Sequence, residues 1–516
     1  MPEANNKRVA KNTLFLYFRM ILIMLVSLYT SRVVLAQLGI SDFGIYNVTA
    51  GVVTMLSFLN SCMASSTQRY MTFELGRGDM QRLKDVFAAS LNIHAAMALV
   101  IVVLAETLGL WIVNHQLVIP PDRMLAAHWV YQFAILTFCI NIIQVPYNAV
   151  LIAHERMNVY AYFSIVEVCL KLGIVYLLVV CPIDKLIAYG VLLFSVQLIV
   201  RCMYQLYCHK HYEESRFRWF WDKALYRQMT GFAGWNLFGS IAWLLRDQGV
   251  NIILNLFFGP VINAARGVAL QVSNAVMGFI ANFQVALNPQ ITKNYAQGHI
   301  AEMEKLAYLG IKFSFIILFL LAFPLALNID YVLHVWLEEV PEHTSLFVTL
   351  IMADGLCGTL FGVPLMTSLS ATGKIRNYQV WVSLVILFIV PAGYMALSLG
   401  CEASSVFYVS MLFTLLSGFV RFLFCRSLLG YSLRRMTGTV LVPVFGMVAL
   451  SLPLPILLKV YVWSTPDLGS VVLSALAALL VAACAAWLVG MQARERSVIV
   501  AMVRSRLPHK QKQTQA

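Results

Sequence analysis

The chain has 516 residues, of which 60% are hydrophobic and only 12% charged, and its mean hydropathy is +0.77. Soluble domains carry nearer ~25% charged residues, so this composition cannot cover a soluble surface and excludes a soluble enzyme. The net charge of +13 and pI near 9.3 read, in a membrane protein, as basic loops gathered on one side rather than as a nucleic-acid surface.

Taken in chain order, the start MPEANNKRVAKN is polar and basic, and the apolar run after it is too long for a signal-peptide core, so an uncleaved first helix is expected. Hydropathy then places fourteen spans at 13–38, 43–72, 86–113, 124–152, 158–181, 185–209, 229–258, 262–292, 306–331, 345–371, 376–399, 403–428, 437–458 and 469–492. Each reaches or approaches the ~20 apolar residues that a bilayer core requires. With the N-terminus inside, the alternate loops facing the cytoplasm hold 25 Lys and Arg, and the outer loops hold three, Arg123, Lys185 and Lys459. That asymmetry orients the protein with both termini cytoplasmic. The expected class is an all-α polytopic membrane protein. Its ten Cys are scattered without a C-x-x-C pair and read as small buried hydrophobes. No Walker loop, H-E-x-x-H or zinc spacing appears, so no cofactor or metal is expected.

An internal repeat runs through the first twelve spans. QVPYNAVLIAHERMNVY (144–160) and GVPLMTSLSATGKIRNY (362–378) share Val145/Val363, Pro146/Pro364, Leu151/Leu369, Ala153/Ala371 and Tyr160/Tyr378 at an offset of 218. Gly39/Gly259, Gly78/Gly298 and Arg201/Arg421 match at 220. Six spans per copy is an even number, so the copies are parallel. The organisation expected is an N-lobe at 1–209 (spans 1–6), a basic and aromatic cytoplasmic linker at 210–228, a C-lobe at 229–430 (spans 7–12), and spans 13–14 with a basic tail at 431–516. In the linker, Trp219 and Trp221 are expected at headgroup level among membrane lipids.

Ionisable residues inside spans are costly and are functional candidates. Arg201, Arg421 and Arg69 lie near inner ends and can snorkel, and Glu167 and Lys171 are spaced for an internal pair. Arg19, Arg32, Arg246 and Arg266 remain, on spans 1, 7 and 8, at depths that make a stepwise cationic path. Arg19 and Arg32 stand about 140° apart around one helix, so both facing one path needs a tilt or a kink. Asp247 is placed to hold Arg246 or to bind a coupling ion. Polar stripes accompany them. Span 7 aligns Asn236, Ser240, Asp247 and Asn251. Span 2 aligns Asn47, Thr54, Ser61, Ser65 and Gln68, and span 8 aligns Arg266, Ser273, Gln284 and Asn288. Such stripes line a hydrated cavity or glue helices together.

The stretches SRVVLAQLGISDFGIYNVTAGVV (31–53) and SSTQRYMTFELGRGD (65–79), with the twice-used V-P-x4-L-x-A motif, resemble the polysaccharide transporter branch of the multidrug/oligosaccharidyl-lipid/polysaccharide (MOP) superfamily. The likeness is to O-antigen (Wzx-type) flippases, with the lipid II flippase and MATE exporters more distant. It implies two six-helix lobes in a V with spans 1, 2, 7 and 8 lining the cavity. It also implies a bacterial inner-membrane flippase that moves a polyprenyl-diphosphate-linked oligosaccharide by alternating access, coupled to H⁺, Na⁺ or the membrane potential. The partners implied are the lipid-linked substrate, membrane lipids and polysaccharide polymerase machinery. MATE exporters use acids in the first and seventh helices. Span 1 here has arginines and no acid, and span 7 has only Asp247 beside Arg246. A MATE-like cation-coupled drug exporter and a non-transporting scaffold of a glycan-assembly complex are the alternatives.

Overall fold

A lipid environment offers no partner for exposed N–H and C=O groups, so a spanning chain satisfies them within helices. The computed structural model describes residues 2–54, 57–115, 119–216, 218–337, 340–462, 467–493, 495–497 and 500. Within these, all fourteen predicted segments are helical and no strand occurs. Among the described residues eleven helices are long and apolar enough to cross a membrane, one for each of spans 3–6 and 8–14. Span 2 is interrupted at 55–56, outside the described set, and several side chains of span 1 lie outside it as well. Span 7, Lys223–Phe258, is long enough but too polar to meet the same measure, and span 8 is the least apolar of the eleven.

The repeat is visible in the backbone. Pro2–Thr54 carries span 1 into span 2 with one break, at Gly39 (φ 78, ψ 168). Gly259 (φ 76, ψ −169) makes the same corner between Lys223–Phe258 and Pro260–Ala296. Both positions need a positive φ that a side chain disfavours. Gly78 (φ 77) and Gly298 (φ 76) repeat a second corner. Cys208 Sγ reaches Tyr147 O at 3.8 Å, and Cys425 Sγ reaches Leu365 O at 3.7 Å, a contact recurring at nearly the same offset. The copies differ at the matched prolines. Pro146 lies inside the unbroken helix Met124–Ala153, whereas Pro364 opens Val363–Thr372 after span 10 breaks at Gly362.

Helix packing repeats as well. In the first lobe span 4 packs on spans 2, 3 and 6, span 5 on span 1 and span 6 on span 5. In the second lobe span 10 packs on spans 8, 9 and 12, span 11 on span 7 and span 12 on span 11. The lobes meet through span 2 against spans 7 and 8 and span 1 against span 8. These helices carry Arg19, Arg32, Arg69, Arg246, Asp247 and Arg266. Span 14 packs on span 9 and span 13 on span 14. Lys312 of span 9, whose side chain is 1% exposed, bonds both oxygens of Glu495 at 2.6 Å and ties the chain beyond span 14 to the second lobe.

The linker is held to the end of the bundle that carries the basic loops. Lys84 pairs with Glu213 at 3.0 Å, Arg82 with Asp222 at 3.4 Å, and Arg218 with Asp85. Asn92 donates to Phe220 O, while Trp219 and Trp221 stay 79% and 71% exposed. Buried Glu214 receives His154 Nε2 at 2.6 Å, so the linker is also clamped to the turn between spans 4 and 5.

Candidate functional site

Three of the four candidate arginines can be placed, and each has a different environment. Arg266, near the start of span 8, is 3% exposed. Its Nη2 donates to Asp247 Oδ1 at 2.5 Å, and its Nη1 donates to Asn251 Oδ1. Asp247 and Asn251 are four residues apart on span 7, one helical turn, so a single face of span 7 presents both acceptors to the guanidinium. Arg246, the neighbour of Asp247 in sequence, points to another face. It donates to Asp354 Oδ2 of span 10 at 3.1 Å and lies 5.3 Å over the Trp243 ring. The expected Arg246–Asp247 pairing is therefore replaced by two separate pairs. Residues one apart on a helix project about 100° away from each other and rarely meet. Arg19 lies 4.5 Å over the Tyr160 ring, and its Nε has no hydrogen-bond partner among the described residues. The side chains of Arg32, Asn47 and Thr54 lie outside the described residues.

Two adjoining cavities open beside span 7. The larger, of about 390 Å³, is lined by Ser240, Ile241, Trp243, Leu244, Arg246 and Asp247. The second, of about 220 Å³, shares Ser240 and Trp243 and adds Ser61 and Ser65 of span 2, Asn236, and Gln379, Ser383 and Arg421 of spans 11 and 12. Thus Ser61, Ser65, Asn236, Ser240 and Asp247 of the predicted lining do face open space. The lower span 8 stripe does not. Gln284 Nε2 donates to Ser314 Oγ at 3.4 Å, Asn288 Oδ1 accepts from Thr367 at 3.0 Å, and Ser273 is buried. Here the polar stripe joins span 8 to its own lobe, because an unpaired polar group among apolar helices is costly and finds the nearest partner. Gln379, Ser383 and Arg421 were missed as lining, and Asp354 as the partner of Arg246. Only their in-membrane polarity could have marked them.

The two lobes touch at the basic end. Cys62 Sγ is 3.5 Å from Ser240 Oγ, Ser66 Oγ donates to Met229 O at 3.0 Å, and the Tyr17 and Phe279 rings are 5.7 Å apart. Below them sit two latches related by the repeat. In one, Glu155, in the turn after span 4, takes Lys293 at 2.7 Å and Gln290, both of span 8. In the other, Arg69 of span 2 donates to Ser370 O at 2.6 Å and Ala371 O at 2.8 Å, at the end of span 10. Glu155 (φ 59) corresponds to Gly373 (φ 75) at the repeat offset, so both turns use a left-handed residue. Arg69 was expected to snorkel and instead crosses between lobes, stacking on Phe232 at 5.1 Å.

No protein-family model matches the chain, and no curated protein matches it. Solved structures do. A MATE transporter described in its outward-facing conformation, a multidrug resistance transporter of the MOP superfamily, superposes with a TM-score of 0.70 at 11% identity, covering 83% of this chain and 96% of its own. A MATE structure in the straight conformation gives a TM-score of 0.70 at 11% identity over 83% of this chain and 96% of that one. A MOP superfamily transporter from Pyrococcus furiosus, whose binding pocket has a reverse polarity suggesting a different function, gives 0.66 at 11% identity with coverage of 82% and 96%. This chain is a multi-pass membrane protein with the fold of MOP superfamily transporters.

Proposed function

We propose that the chain is a transporter that moves a polyprenyl-diphosphate-linked oligosaccharide across the bilayer by alternating access. One observation carries the reading: Arg246 and Arg266 lie on spans 7 and 8, the second-lobe helices that pack on span 2 of the first, each paired with a single carboxylate, Asp354 for one and Asp247 for the other. An empty carrier holds its arginines neutral on internal carboxylates. A diphosphate competes for the same N–H groups, and a guanidinium fork, which gives each carboxylate only one bond here, can take phosphate oxygens bidentately. Binding is thus an exchange of carboxylate for phosphate, with the polyprenyl tail left in the lipid. Within this fold a pocket of reverse polarity is described for the Pyrococcus furiosus protein, and arginines at this place fit such a departure. The latches at the basic end close one face, as alternating access requires of one of its two states.

The test is reconstitution of the purified chain in liposomes with a fluorescent polyprenyl-diphosphate-linked disaccharide. Arg246→Ala and Arg266→Ala are each expected to abolish its exposure to a membrane-impermeant quencher. Unchanged flipping in both variants overturns the reading. A MATE-like cation exporter is favoured by one feature, the 38% exposure of the Asp247 side chain in the larger cavity. Ethidium efflux that depends on Asp247 would establish that reading instead.

A further inference from the structure

The smaller cavity has a chemistry different from the arginine pairs beside it. Its polar wall is mostly hydroxyls and amides, namely Ser61, Ser65, Asn236, Ser240, Gln379 and Ser383, and its one charged lining residue, Arg421, gives Nη1 to Phe361 O; no carboxylate is among its lining residues. Asn236 is 6% exposed. Its Oδ1 accepts from Gln379 Nε2 at 3.1 Å, while its Nδ2 is buried without a hydrogen-bond partner in the described structure. A buried donor left open is costly unless something arrives to accept from it. Gly239 lets the Gln379 amide pack close to span 7, since a Cβ there would lie 2.5 Å from Gln379 Oε1. At the mouth, Trp243 keeps 45% of its surface open even though Arg246 lies over one face of its ring.

Neutral hydroxyl and amide groups around an aromatic ring match a sugar, whose hydroxyls need both donors and acceptors and whose C–H face packs on an aromatic plane. Without a carboxylate they do not match an organic cation. The volume of about 220 Å³ suits one ring rather than an oligosaccharide. Position agrees with chemistry. Trp243 and Arg246 are one turn apart, ~4.5 Å along the axis, so a sugar on Trp243 places the phosphate attached to its anomeric carbon beside Arg246. We infer that the cavity between spans 2, 7 and 11 is a subsite for the first hexopyranose of the cargo, with Trp243 as its stacking platform and Asn236 Nδ2 as the donor to its ring substituents. The inference rests on the diphosphate reading above, to which it adds the sugar.

The test is titration of the full chain in lipid nanodiscs, followed by native mass spectrometry, with two probes, undecaprenyl diphosphate and undecaprenyl-diphosphate-linked N-acetylglucosamine. The wild type is expected to bind the glycosylated probe roughly tenfold more tightly. Trp243→Ala and Asn236→Ala should each erase that preference, and Trp243→Phe should keep it. Asn236→Ala leaves the Arg246 stack untouched and decides the matter if Trp243→Ala unfolds. Equal binding of the two probes by the wild type overturns the subsite, and so does a preference that survives Asn236→Ala. Those results leave the diphosphate reading standing, because undecaprenyl diphosphate still binds. Binding of neither probe removes both.

Discussion

Arg266 has nearly all its surface withdrawn from solvent, and its two anchors, Asp247 and Asn251, lie on one neighbouring helix. Breaking a buried ion pair by removing one partner costs ~3–5 kcal/mol, whereas replacing the whole pair by apolar groups is often neutral. The carboxylate side is 38% exposed, so water screens part of the loss and the lower end of that range applies. Asp247→Ala is therefore expected to lower the thermal unfolding temperature in detergent. The double variant Asp247→Leu with Arg266→Met should recover it yet fail to bind undecaprenyl diphosphate. A double variant as unstable as the single one would show that the pair contributes net stability instead of serving the cavity. Arg246 and Asp354 form a second such pair at 14% and 17% exposure, and the two can be dissected separately because no residue is common to them.

At the scale of elements, the two latches make closure of the basic end a matter of a few contacts. Each joins the end of one lobe's fourth helix, or the turn just beyond it, to the inner end of the other lobe's second helix. A non-glycine residue at positive φ costs of order ~1–3 kcal/mol and persists only where its surroundings demand it. Glu155 bears that cost where its counterpart is Gly373, and it delivers its carboxylate to Lys293 and Gln290. Glu155→Gly combined with Arg69→Ala removes both latches while relaxing the turn. Cys62, 5% exposed at the lobe interface, should then become reactive towards a maleimide, in a chain whose other cysteines are alanine. Continued protection of Cys62 would place the closure elsewhere. At the far end a different element is fixed. Arg123 bridges Asp42, with Nε to Oδ1 at 2.9 Å, and Asp184, with Nη1 to Oδ2 at 2.5 Å. Burial pushes the Asp184 carboxyl up, but Arg123 and the backbone N–H groups of Ile187 and Leu186 outweigh it and hold it below its ordinary value. A depressed folded value means the stabilisation is present above the unfolded carboxylate pKa of ~3.9 and is lost as pH falls through the folded one. Stability should thus be flat above that range and fall below it, with a smaller acid-side fall in Asp184→Asn. The same acid-side loss in Asp184→Asn would assign it to other carboxylates.

Over the whole molecule, the layout was legible from hydropathy, from the alternation of basic loops and from the repeat, because these are local or periodic signals. Gly39 and Gly259 even marked where the lobes' first corners fall. The site was legible only as a set of polar positions. Which acid meets Arg246 depends on span 10 arriving from more than a hundred residues away, and helical spacing says nothing of that. The span 8 stripe read the same whether it faced a cavity or its own lobe, and packing decided for the lobe at Gln284 and Asn288. In the transport reading proposed above, Arg246 with Asp354 and Arg266 with Asp247 cancel when the carrier is empty, which sets how it should respond to voltage. If a diphosphate replaces the carboxylates on Arg246 and Arg266 and Asp247 stays ionised, the loaded carrier moves the cargo's own negative charge. Each charge carried outward gains ~2.3 kcal/mol per 100 mV of inside-negative potential. In proteoliposomes with a potassium gradient and valinomycin, inside-to-outside flipping should accelerate when the interior is negative and slow when the polarity is reversed. A rate indifferent to polarity would mean that cations travel with the cargo, and Asp247 and Asp354 are the carboxylates placed to carry them. Asp247→Asn should then restore the voltage dependence if Asp247 is the carrier, and Asp354→Asn if Asp354 is.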